Sequence, residues 1–121
     1  MNDRPTAAEL AEAVRGFLES EVQPALQSDR TRFRALVAAN ALGILQRDLT
    51  LGPALLREES ELLGSLLGLP AAQGVPALNA ELCRRLRRGE VPAGTREALL
   101  RVAAMKLSIA SPKYLRTEGT K

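Results

Sequence analysis

The sequence contains no histidine and no tryptophan, and only one cysteine, one tyrosine and two phenylalanines. Each shortage removes a class of chemistry. Without histidine the commonest general base and the commonest metal ligand are missing, and Cys83 alone cannot build a thiolate zinc site, so neither metal-dependent catalysis nor a cofactor is expected. A single cysteine also excludes an intrachain disulfide. Aromatics make up 2% of the chain, which leaves Leu, Ala and Val to form the core, a composition suited to helices. No run approaches the roughly 18 apolar residues of a membrane helix, and the opening MNDRPTAAEL lacks the apolar segment of a signal peptide. The expectation is a cytoplasmic protein with no membrane partner. Phosphate-binding glycine loops, nucleophile elbows and paired-cysteine motifs are absent from the sequence as well.

What is present is an ordinary globular balance, 45% hydrophobic and 26% charged residues over 121 positions, enough for one domain with a core. The net charge of +3 is modest and acids are interspersed, so nucleic acid is not expected as a partner. The hydrophobic periodicity predicts an all-α fold, a single bundle of about five helices spanning 1–121, with flexible tails at 1–5 and 116–121.

The longest amphipathic pattern, Thr31 to Leu51, organises the rest. Phe33, Leu36, Val37, Ala41, Ile44, Leu45 and Leu51 recur at helical spacing and predict one buried face. Asn40 falls in the middle of it, with Arg47 and Asp48 two turns on. A buried amide must satisfy most of its hydrogen bonds, so Asn40 is expected to bridge to another helix, the one around Lys106, and Asn40→Leu to cost about 1–3 kcal/mol.

Before this stretch, Thr6 and Glu9 have capping-box spacing ahead of a helix over about Ala7 to Val22, which Pro24 stops. Leu10, Val14 and Phe17 form its apolar stripe, and Glu21 either continues that stripe or lies in water at a frayed end. Ser28 or Asp29 can cap the central helix. Leu51-Gly52-Pro53 predicts its end and the start of a third helix over Ala54 to Leu67, with Glu59 inside a leucine stripe. Pro76 opens a fourth helix, which Gly89 ends, and Thr95 caps a fifth, whose Leu99, Val102, Ala103, Leu107 and Ala110 are expected to point inward. Gly43 and Gly64, alone inside helices, suit close helix packing or tolerated surface positions. Cys83, with no histidine to activate it, reads as a small core residue.

Two groups of residues are candidates for function. Glu21, Asn40, Arg47, Glu59 and Lys106, with Asp48 at the edge, recur on faces expected to be buried; they suit a core network that fixes helix register, a surface for another subunit, or an acid/base site with Glu21 or Glu59 beside Lys106. Arg84, Arg85, Arg87 and Arg88 suit either a solvated basic face at a helix C-terminus or an independent site for an anionic ligand or RNA.

The stretches RFRALVAANALGILQRDL (Arg32 to Leu49) and KLSIASPKYL (Lys106 to Leu115) resemble a family of small bacterial helical proteins of unknown function, over about Ala8 to Leu115. Its strongest markers here are V-A-A-N and the terminal P-K-Y-L. Members are typically encoded beside aminoglycoside-phosphotransferase-like kinases and acyl-CoA dehydrogenases, and the resemblance implies a non-catalytic accessory subunit of a kinase acting on hydroxyacyl-CoA intermediates. Docking is then expected beside the V-A-A-N helix or through Lys113, Tyr114 and Leu115, and a homo-oligomer is a further option. Many members carry His after the Phe where this chain has Arg34, and the family offers no catalytic residues to carry over.

Overall fold

Thr6 starts the fold as its spacing predicts: its hydroxyl accepts from the Glu9 N–H at 3.1 Å and the Glu9 carboxylate accepts from the Thr6 N–H at 2.9 Å. From this cap runs α1 (Ala7–Phe17), followed by a π-type turn (Leu18–Val22) and a 3-10 turn (Gln23–Ala25) containing Pro24. The computed structural model of the chain describes residues 3–119, with side chains to Leu115. Among the described residues are no strands and four further helices: α2 (Asp29–Leu67), α3 (Val75–Arg87), α4 (Thr95–Ala110) and α5 (Pro112–Gly119). The all-α class is as expected, but the helices are divided differently. Pro53 lies inside α2 instead of opening a new helix. The Gly52–Pro53 step is nonetheless a boundary, because contacts divide the chain there into two units, Met1–Gly52 and Pro53–Lys121. Of the expected tails, residues 1, 2, 120 and 121 lie outside the described residues, and 116–119 belong to α5 instead of forming coil.

The first unit pairs α1 with the first half of α2. Ser28 caps α2, its hydroxyl accepting from the Thr31 N–H at 3.4 Å. The pairing is antiparallel: the Gln46 amide donates to Glu12 at 3.4 Å, and the Arg15 side chain comes within 3.8 Å of where a Cβ on Gly43 would stand. Small residues make the contact, with Ala11 5% and Ala39 0% exposed and Gly43 buried. This corrects the expected face. Ala39 and Gly43 lie about 80–160° round the helix from Phe33, Val37, Ile44 and Leu51, at about 100° per residue. Those larger side chains stay exposed, Phe33 at 65% and Val37 at 49%. A two-helix unit can bury only the faces its helices turn to each other. Alanine and glycine won that position because they let the backbones approach, which left the bulkier stripes outside.

The second unit has the leucine core. Leu63 and Leu67 of α2 pack with Leu78 and Leu82 of α3, flanked by Leu66, Leu69 and Val75. Two turns hold this arrangement. After α2, Gly68 adopts φ +69° and the Leu69 N–H reaches back to the Gly64 carbonyl at 2.9 Å; after α3, Gly89 adopts φ +80° and the Glu90 N–H reaches the Arg85 carbonyl at 2.8 Å. Both are Schellman caps, which need a left-handed residue that glycine supplies without strain. On α4 the buried residues are Thr95, Ala98, Val102 and Met105. Only Val102 of the expected inward set is buried, whereas Leu99 is 43% exposed, because the stripe at 95, 98, 102 and 105 has the same period and the smaller Ala98 permits closer approach. Thr95 is the first helical residue and not the cap, a place taken by Gly94 at φ +88°, and its hydroxyl donates to the Pro92 carbonyl at 2.6 Å.

Candidate functional site

Of the polar residues expected on buried faces, Glu59 alone is buried, at 8% exposed. It lies on α2, four residues before Leu63, and the Lys106 ammonium on α4 stands 3.9 Å from its Oε2, which has no hydrogen bond. That pair joins two members of the expected network, and Lys106 itself is largely exposed. Asn40 and Asp48 are exposed, so the core role for Asn40 and its bridge to the helix around Lys106 fall away, and Glu21 lies exposed in the π-type turn. Arg47 is half-buried, its guanidinium 3.5 Å from the Cβ position of Gly43. The acid/base reading therefore loses Glu21, and Glu59 meets its cation as a partly shielded ion pair.

Beside Glu59, Glu58 makes the best-formed ion pair of the second unit: Arg101 of α4 donates from Nε at 2.7 Å and from a terminal nitrogen at 3.1 Å. The Arg101 hydrogen bond, opposed in part by desolvation, holds the Glu58 carboxyl below its ordinary value. Sequence reasoning missed this pair, since 43 residues separate its members and no local spacing announces it.

The basic cluster is also partnered. Glu81 lies three and four residues before Arg84 and Arg85, and its two oxygens accept from their Nε atoms, each at 2.9 Å. These bonds, Arg85 first, lower the Glu81 carboxyl. Arg88 pairs with Glu90 at 3.2 Å, leaving Arg87 exposed on the same turn. Arg84, Arg85 and Glu81 border an open groove with Leu69, Gln73, Ala77 and Ala80. An anion entering it would compete with the Glu81 carboxylate, which favours the solvated-face reading over a phosphate or RNA site. Glu81 is a helical neighbour three and four residues from the two arginines it pairs with, a spacing visible in the sequence. Cys83, next to them, is exposed and not a core residue.

At the C-terminus, Ser111 ends α4 and Pro112 opens α5, a position that suits its missing N–H. Lys113 sits 5.5 Å from the centre of the Tyr114 ring, and Tyr114 is 54% exposed, while Leu115 is half-buried. Among the described residues no group of three or more acidic, cysteine or histidine side chains could hold a metal ion, and no helix is long and apolar enough to cross a membrane.

The most extensive chemical feature is therefore apolar surface on the first unit, where ten large hydrophobic side chains are at least 40% exposed. Residues 24–114, about three-quarters of the chain, match the family described as a domain of unknown function, DUF6285. The chain belongs to this family. The DUF6285 match takes in all of α2, α3 and α4 and stops at Tyr114, so α1 lies before it. Neither a curated protein nor a solved structure matches the chain. The DUF6285 description assigns no reaction, so the exposed surface has to be read from its own chemistry.

Proposed function

We propose that this DUF6285 chain is a non-catalytic cytoplasmic binding subunit of an acyl-CoA-handling phosphotransferase of the aminoglycoside-kinase type. One observation supports it above the others: in the first unit, apolar side chains of core size are outside and alanines are inside. On α1, Leu10, Val14 and Phe17 are 49–53% exposed along one stripe. Covering the exposed half of each side chain contributes about 1 kcal/mol, so the stripe supplies roughly 3 kcal/mol toward association before ordering costs. The choice of a kinase rests on the likeness to proteins encoded beside such enzymes, which is an association and not a physical argument. The exposed Tyr114 offers a second anchor of the kind enriched at protein interfaces.

Co-expression with an aminoglycoside-phosphotransferase-like kinase from the same genome, followed by size-exclusion chromatography and a phosphotransfer assay on a hydroxyacyl-CoA, tests the proposal. A single co-eluting peak and altered kinase activity are expected. Two separate peaks with unchanged activity would remove it.

A further inference from the structure

The face of α2 turned away from α1 carries a pattern of its own. Arg34, Val37, Ala41, Leu45 and Asp48 follow one another at steps of three, four, four and three residues, which puts them on one stripe of the helix. All five are exposed. At about 100° per residue the stripe lies close to opposite Ala39 and Gly43, the residues buried in the first unit. Its order is symmetric in chemical kind. Ala41 is central; Val37 and Leu45 stand four residues to either side; Arg34 and Asp48 stand seven residues to either side, with opposite charge. Phe33 and Leu49, 65% and 40% exposed, extend the symmetry to eight residues.

We propose that this stripe binds a second copy of the same chain, as an antiparallel two-fold pair of α2 helices centred on Ala41. An antiparallel two-fold interface centred on Ala41 sets the residue a given number of positions before the centre in one copy against the residue the same number of positions after it in the other. Here that rule places Val37 against Leu45, Phe33 against Leu49, and Arg34 against Asp48, each pair occurring twice. Arg34 and Asp48 have no ion-pair partner among the described residues, so both are available for this pairing. The small Ala41 at the axis lets the helices approach to the 8–10 Å typical of packed helices. Area supports the same occupant. With four large apolar side chains 40–65% exposed, this face offers roughly 300–400 Å² of apolar surface per copy. The exposed Ala41 at the centre and Arg34 and Asp48 at the ends add to this, toward the roughly 800 Å² per partner of a stable interface. The two ion pairs set direction and register more than affinity. The inference stands apart from the kinase reading, which uses α1.

Sedimentation velocity on the full chain alone, at micromolar concentrations, tests it. The expected species has twice the 13.0 kDa chain mass. Arg34→Asp and Asp48→Arg should each weaken the dimer by about tenfold, since a rim charge then faces its like, and the double variant should return it to near the starting affinity. Ala41→Glu, at an exposed helical site that keeps the fold, should give a monomer with unchanged circular dichroism. A chain that is monomeric at every concentration overturns the proposal, as does a dimer indifferent to Ala41→Glu or a charge-swapped double variant that stays dissociated. A monomer that still co-elutes with the kinase would overturn this dimer alone, and a dimer that ignores the kinase would overturn the accessory-subunit reading alone.

Discussion

Two glycines in helices should respond differently to alanine. A glycine inside a helix costs about 0.8–1 kcal/mol relative to alanine, so Gly→Ala stabilises wherever the added methyl has room. At Gly16 nothing lies within 4 Å of the new Cβ. Gly16→Ala should therefore gain about 0.5–1 kcal/mol. At Gly64 the new Cβ would stand 2.8 Å from the Leu69 carbonyl oxygen, 3.2 Å from the Ala71 nitrogen and 3.3 Å from the Ala71 Cα. All three are backbone atoms, and the Gly64 carbonyl is also the acceptor of the cap that ends α2, so the turn cannot retreat without loosening that bond. Such overpacking costs about 1–3 kcal/mol, which offsets the propensity gain and makes Gly64→Ala neutral to destabilising, by up to about 2 kcal/mol. Urea unfolding followed at 222 nm reads both, with the midpoint moving up for Gly16→Ala and unchanged or down for Gly64→Ala at constant slope. Equal stabilisation by the two substitutions would refute the close approach at Gly64.

Leu78 is 0% exposed at the centre of the leucine cluster, so Leu78→Ala should cost about 2–5 kcal/mol by calorimetry; a loss under 1 kcal/mol would mean the cluster is not the core of its unit. Glu59 is buried with an oxygen lacking a hydrogen bond, so Glu59→Met should leave the urea midpoint unchanged or raise it, and a large fall would show that the Lys106 pair matters more than its 3.9 Å separation implies. The Arg101 hydrogen bond lowers the Glu58 carboxyl from 4.5, so its contribution is complete above that pH and is lost as pH falls through the lowered value. The melting-temperature gap between the parent and Glu58→Gln should accordingly close in acid, and a gap that widens there would contradict the pair.

How much of this was legible beforehand differs from feature to feature for physical reasons. The Thr6–Glu9 capping box, the Ser28 cap and the stop near Pro24 depend on residues a few positions apart, and each formed as its spacing predicts. Pro53 misled because proline usually ends a helix, whereas here α2 continues through it and the boundary appears as a division between units. Asn40 misled for a different cause. Periodicity identifies the apolar face of a helix but not which face a neighbour covers, and in the first unit α1 covers the alanine face. The expected cost of Asn40→Leu disappears with its burial. The Glu81 fork was readable from three- and four-residue spacing, but the Glu58–Arg101 pair needed the tertiary fold.

The apolar stripe of α1 is proposed to serve a partner and not the chain's own core. Val14→Asp tests it most directly, measured as melting temperature alone and as co-elution with the co-expressed kinase. Val14 is 49% exposed, so the account predicts a melting temperature within the roughly 0.5 kcal/mol typical of surface substitutions, together with loss of the complex. A variant that unfolds as a core residue would, or one that still co-elutes with the kinase, would contradict it.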